Sequence, residues 1–187
     1  WDGDRRRSLQ LTQTVANTIR GPEYRCVLLA SAAVNAAATQ EWETVDVLLD
    51  RAEALCPEEG QLRGLYFLCR ISVGRDRGWH EDVLECFEEA LVHFDDKKDA
   101  HWLGRLYLAK TADSAMQGAT QRAKEELEIA RDYVKTAGGG YLKMSCFVND
   151  AYHAFTEGDV ETAAFLYRRA IRSIMPLKSD GLVAGLQ

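Results

Sequence analysis

Five alanines set the frame of this 187-residue chain. Ala16, Ala52, Ala90, Ala130 and Ala170 sit in similar apolar patterns, separated by 36, 38, 40 and 40 residues. Large residues stand three positions before them in four copies (Leu49, Phe87, Leu127 and Tyr167), and small or branched ones stand seven before (Leu9, Val45, Val83, Ala123 and Ala163). Spacings of three and four are those of the buried stripe of an amphipathic helix. Gly78, Gly118 and Gly158 stand twelve before the last three alanines, where a residue without a Cβ lets the chain turn between two helices. The three prolines, Pro22, Pro57 and Pro176, fall five or six residues after a repeat alanine. Proline cannot continue a helix, so each marks the same helix end. Agreement of alanines, glycines and prolines on one phase establishes an internal repeat, and its period predicts pairs of antiparallel helices.

The pattern predicts an all-α fold of about nine helices. A half repeat with a helix over 5–20 comes first. Pairs follow at 23–39 and 42–56, 60–74 and 79–94, 99–116 and 119–136, and 141–156 and 160–175. These give one domain over 1–176, divided into 1–22, 23–57, 58–97, 98–137 and 138–176, with 177–187 as a tail. The run "GGG" at 138–140 follows a helix and lacks the Lys-Ser/Thr of a phosphate-binding loop, so it reads as a flexible inter-repeat turn.

Composition narrows the function classes. Hydrophobic residues at 47% with 28% charged residues make a globular chain that can bury a core. The net charge of −6 argues against nucleic acid as a partner. No apolar run approaches the ~20 residues that span a bilayer, and no signal peptide is visible. Cys26, Cys56, Cys69, Cys86 and Cys146 form no CxxC pair and lie mostly inside apolar patterns, as reduced core thiols of a cytoplasmic or otherwise intracellular protein would. Trp1 in place of an initiator Met predicts a fragment or a processed product.

The stretch "EGDVETAAFLYRRAIRSIMP" (157–176) carries a Gly-Asp turn, Ala163, Tyr167, Ala170 and a terminating proline. It resembles the second half of a tetratricopeptide repeat, and "EWETVDVLLDRAEALCP" (41–57) is similar. Ala33 and Ala36, and likewise Ala151 and Ala154, stand where that family places small residues for close helix approach. The repeats exceed the family's usual ~34 residues, which suggests degenerate long-helix relatives such as those in signalling ATPases and transcriptional activators. The resemblance implies a right-handed α-solenoid whose first helices line a concave groove.

A second resemblance competes for the same region. Asn149, Asp150, His153 and Glu157 follow helical spacing and resemble the second metal-binding motif of class I terpene synthases, with His153 in the Ser/Thr place. "FDDKKD" (94–99) looks like the aspartate-rich motif of those enzymes. A shared ion cluster needs carboxylates within ~2 Å of the metal, and in a solenoid the helices between the two motifs hold them apart. "DDKKD" is explained as a charged linker with an aspartate able to cap the next helix. His80, His93, His101 and His153 form no HExxH pair, and GxSxG and GxGxxG are absent. The expectation is a non-enzyme without metal or cofactor.

Aligned on the alanines, the groove candidates are Val34 and Asn35, Arg105 and Met116, and Tyr152, His153 and Phe155. Asn35 and His153 are the polar points of a largely apolar surface, which lacks the Lys/Asn/Arg clamp of chaperone-docking members. It suits an amphipathic helix or an extended apolar peptide, anchored by Tyr152 and Phe155. The first expectation is therefore a protein-interaction scaffold. The alternative is the repeat half of a transcription factor or signalling ATPase, whose curvature responds to a ligand. The stacking sides of uncapped end helices also give the solenoid a route to self-association.

Overall fold

A computed structural model describes residues 2–174, with side chains described from residue 6. Trp1, the helix-ending role of Pro176 and the tail 177–187 lie outside the described residues. Among the described residues are nine α-helices and no strand: α1 (Asp2–Thr18), α2 (Pro22–Ala37), α3 (Trp42–Glu53), α4 (Gln61–Arg77), α5 (His80–Leu91), α6 (Ala100–Met116), α7 (Thr120–Ala137), α8 (Gly140–Thr156) and α9 (Val160–Ile174). The expected all-α repeat of helix pairs is what forms. α2 packs on α3, α4 on α5, α6 on α7 and α8 on α9. The chain divides into two compact units, Trp1–Lys98 and Asp99–Gln187. In the first, α2 also packs against α1 and α4; in the second, α8 also packs against α6 and α7.

One turn reverses the chain inside every pair. Gly78, Gly118 and Gly158 take φ of 77°, 74° and 85°, the left-handed conformation that costs glycine little. The amide of the next residue then donates back to the carbonyl five positions earlier. The bonds are Trp79 N–H to Gly74 O at 2.8 Å, Ala119 to Ser114 at 2.9 Å and Asp159 to Ala154 at 2.9 Å. This backward bond satisfies a carbonyl the helix end would otherwise leave open. Gln40 fills the same place in the α2–α3 pair: it stands twelve before Ala52, takes φ 60°, and is followed by a 3.0 Å bond from Glu41 N–H to Ala36 O. The glycine pattern missed it because the side chain there is glutamine.

The repeat alanines are the contact points of the pairs. Ala16, Ala52, Ala90, Ala130 and Ala170 are all buried, as are Val45, Val83, Ala123 and Ala163 one face-turn earlier. A methyl group at that contact allows close helix approach without opening a cavity. Pro57 lies beyond the end of α3, as its position predicts. Pro22 does something else: it opens α2 as the first helical residue, with Gly21 as N-cap. At that position the missing amide would have had no helical partner and the fixed φ already suits the helix.

Arg77, at the end of α4, ties the α2–α3 pair to the α4–α5 pair. Its guanidinium donates to both Asp46 oxygens at 2.6 and 2.9 Å and to the Trp42 carbonyl at 3.2 Å. It also lies 4.9 Å from the Trp42 ring centre and 4.4 Å from that of Trp79. A lysine offers neither the planar stacking nor the forked pair of bonds.

Left-handed backbone at a residue with a Cβ costs about 1 kcal/mol, so Gln40→Gly is expected to stabilise the first unit by up to that amount. Gly78→Ala is expected to destabilise it by a similar amount. Urea unfolding of the two variants checks both signs; a Gln40→Gly variant less stable than the parent would show that the glutamine side chain contributes more than its strain.

Candidate functional site

α8 has one side packed into the second unit and another that is open. Leu142 and Cys146 are buried with Leu108 of α6 and with Leu127, Ala130 and Val134 of α7. Ala151 and Ala154 are buried as well. Tyr141, Val148, Tyr152 and Phe155 stay exposed. Their spacings of seven, four and three put them along one side of the helix, so α8 carries an apolar stripe that the described residues leave partly open.

Tyr152 is 38% and Phe155 61% exposed on that stripe. Met116, the last residue of α6, is 58% exposed, and α6 packs beside α8 in the same unit. Arg105 on α6 is exposed, with its guanidinium 5.4 Å from the Trp102 ring centre. The second unit therefore holds these four candidates on its first helices, with their side chains presented. His153 differs: at 5% exposure its ring is enclosed, edge-on to Tyr152 with centroids 6.3 Å apart. Val34 and Asn35 belong to the first unit and are half-buried there. Asn35 donates from Nδ2 to Ser8 Oγ of α1 at 3.3 Å, so the half-repeat helix already occupies that polar point.

The acidic residues around the stripe are engaged by cations of α7. Asp150 accepts from Arg131, which also pairs with Glu128, and Glu157 accepts from Lys124. Asn149 Nδ2 donates to the Ser145 carbonyl at 2.9 Å. In the linker, Asp95 Oδ1 accepts from the Lys97 and Lys98 amides at 2.9 and 3.2 Å. Asp99 is the N-cap of α6 without a side-chain capping bond. Among the described residues, no group of three or more His, Cys, Asp or Glu is placed to hold a metal ion. Asn149, Asp150, Glu157 and Asp95 thus have structural partners of their own.

His153 Nε2 is buried without a hydrogen-bond partner. Burial, reinforced by the charge of Lys124, holds the imidazole pKa below its ordinary value, against the opposing pull of Asp150 and Glu157. The cysteines, all among the described residues, form no disulfide. Burial pushes the Cys86 thiol up to about 12, and raises Cys26 and Cys146 as well. Thiols kept protonated in this way are poor nucleophiles.

Tyr141 was missed by alignment on the alanines because it sits in the first turn of α8, ahead of the positions that the repeat phase marks. Its seven-residue spacing to Val148 was the available signal. No protein-family model matches the chain, and no curated protein or solved structure is significantly similar to it.

Because folding favours the neutral form of His153, the unfolded chain binds a proton more readily below the ordinary pKa of 6.5. Stability from this site is complete above that pH and is lost as pH falls. The loss of stability between about pH 7 and 5 is expected to be shallower in His153→Leu than in the parent, when unfolding is followed across that range. Parallel pH profiles would remove His153 from the account.

Proposed function

We propose that the chain is a tetratricopeptide-like repeat array that acts as a protein-interaction module and carries no catalytic chemistry of its own. The second unit binds an amphipathic helix or an extended apolar peptide along the face of α6 and α8. The observation that carries this reading is the open stripe of α8, where two tyrosines, a valine and a phenylalanine stand exposed on one helix side. Aromatic residues, Met and Arg are the side chains enriched at binding interfaces, and rigid rings bury area at small entropic cost. Tyr152 and Phe155 are the anchors, Met116 extends the apolar floor and Arg105 supplies a cation for an acidic residue of the ligand. His153 lies beneath this face as a packing residue.

Three observations support the absence of a catalytic role for the same region: Asp150 and Glu157 are neutralised by Arg131 and Lys124, His153 is enclosed, and burial raises the pKa of the Cys146 thiol. The lack of any disulfide among five cysteines fits a reducing, intracellular compartment. No helix of the described residues is long and apolar enough to cross a membrane.

A displayed library of random peptides, panned against the chain, tests the reading. Enriched peptides are expected to carry apolar residues at helical or alternating spacing. Phe155→Asp and Tyr152→Glu are expected to weaken the best of them by about 2 kcal/mol each, the size of an anchor residue. Val92→Asp, at an exposed position of the first unit, is expected to leave binding unchanged. Peptides that bind Phe155→Asp as tightly as the parent would overturn the assignment of the face.

A further inference from the structure

The second helices of the four pairs carry different charges at one repeat position. The two residues before the repeat alanine are Asp50 and Arg51 in α3, Glu88 and Glu89 in α5, Glu128 and Ile129 in α7, and Arg168 and Arg169 in α9. In α3 the two charges are opposite, and in α7 Glu128 pairs with Arg131. α5 and α9, the last described helices of the two units, instead hold doubled charges of opposite sign.

The charge runs along both helices. Glu81, Glu85 and Glu88 of α5 are exposed at spacings of four and three, in a helix that contains no lysine or arginine. Like charges one turn apart disfavour a helix, so this row is unfavourable until a cation meets it. On α9, Arg168 and Arg172 are exposed at the same step of four as Glu81 and Glu85, while Arg169 is held 4.5 Å from the Phe147 ring centre of its own unit. An apolar strip lies beside each row. Val160, Tyr167 and Ile171 of α9 are 60%, 41% and 56% exposed. Leu84 and Leu91 of α5, eighty residues before Ala164 and Ile171, are exposed and half-buried respectively.

We propose that the open face of α9 docks on α5 of a second copy of this chain, with Arg168 and Arg172 against Glu85 and Glu81 and the two apolar strips in contact. Both helices carry the charged row on the same flank of the strip, so the rows meet only when the helices run antiparallel. The occupant is set by charge and spacing: an acidic row of matching step stands on the chain itself, and a second copy brings it. Because the two faces differ, the contact is heterologous, and such assemblies close into a ring or extend. Tyr152 and Phe155 of α8 take no part, so the inference is independent of whether the chain binds peptides.

Sedimentation of the full 187-residue chain tests it. The parent is expected to associate as its concentration rises, and about 1 M salt is expected to weaken the association by screening. Arg168→Glu/Arg172→Glu and Glu81→Arg/Glu85→Arg are each expected to weaken it at least about tenfold, since each turns two exposed attractions into repulsions. Mixing the two variants sets the reversed α9 against the reversed α5 and is expected to restore association. A parent that stays monomeric at millimolar concentration, or variants that associate as the parent does, would overturn the proposal. So would a mixture that stays monomeric, because the charges would then act elsewhere than in this contact.

Discussion

The left-handed turn inside each pair is the constraint from which the rest of this structure follows. It sends the chain back along the helix it has just completed, and it does so with one residue of positive φ and one backward hydrogen bond. Two helices joined so tightly are obliged to touch along their length, and the buried repeat alanine lets them do so closely. Within each unit one pair also packs on the next: α2 on α4 in the first, and α6 and α7 on α8 in the second. Leu127 and Val134 of α7 meeting Leu142 and Cys146 of α8 is that packing in the second unit.

The same packing engages the ionic side chains beside α8. Two ion pairs tie α7 to α8 and its C-cap: Arg131 takes Asp150, and Lys124 takes Glu157. His153, the buried polar side chain of α8, has its imidazole pKa held below the ordinary value by burial. What α8 offers to the outside is rings. Apolar rings on a rigid helix suit recognition, where area and shape matter, and offer little to bond making.

Much of the fold is legible in the sequence because the turn needs a special residue and the contact needs a small one. Glycine and alanine are conspicuous at a forty-residue interval, and the helices lie within a few residues of where they are expected. Legibility fails where the backbone accepts a substitute. Gln40 takes the glycine conformation and leaves no glycine to find. Pro22 follows a repeat alanine as the other prolines do, yet it starts a helix, because proline suits a first turn as well as it blocks an interior one. The site is less legible for a different reason. Leu108 and Val148 share one repeat position, but α8 buries the first while the second stays 38% exposed, so exposure depends on the neighbour and not on the pattern. Asn35 reads as a groove residue until α1, a half repeat without its partner, is seen to bond it. His153 has the spacing of a surface ligand, and only the packing of α8 shows that it points inward.

The measurement that bears most directly on the account is photo-crosslinking from Phe155. A photoreactive phenylalanine analogue placed there, and separately at Val92 in the first unit, would be irradiated with the peptide selected for tightest binding. The account predicts a crosslink from position 155 and none from position 92. Crosslinking from position 92, or none from 155 while the peptide remains bound, would contradict it and place recognition elsewhere on the chain.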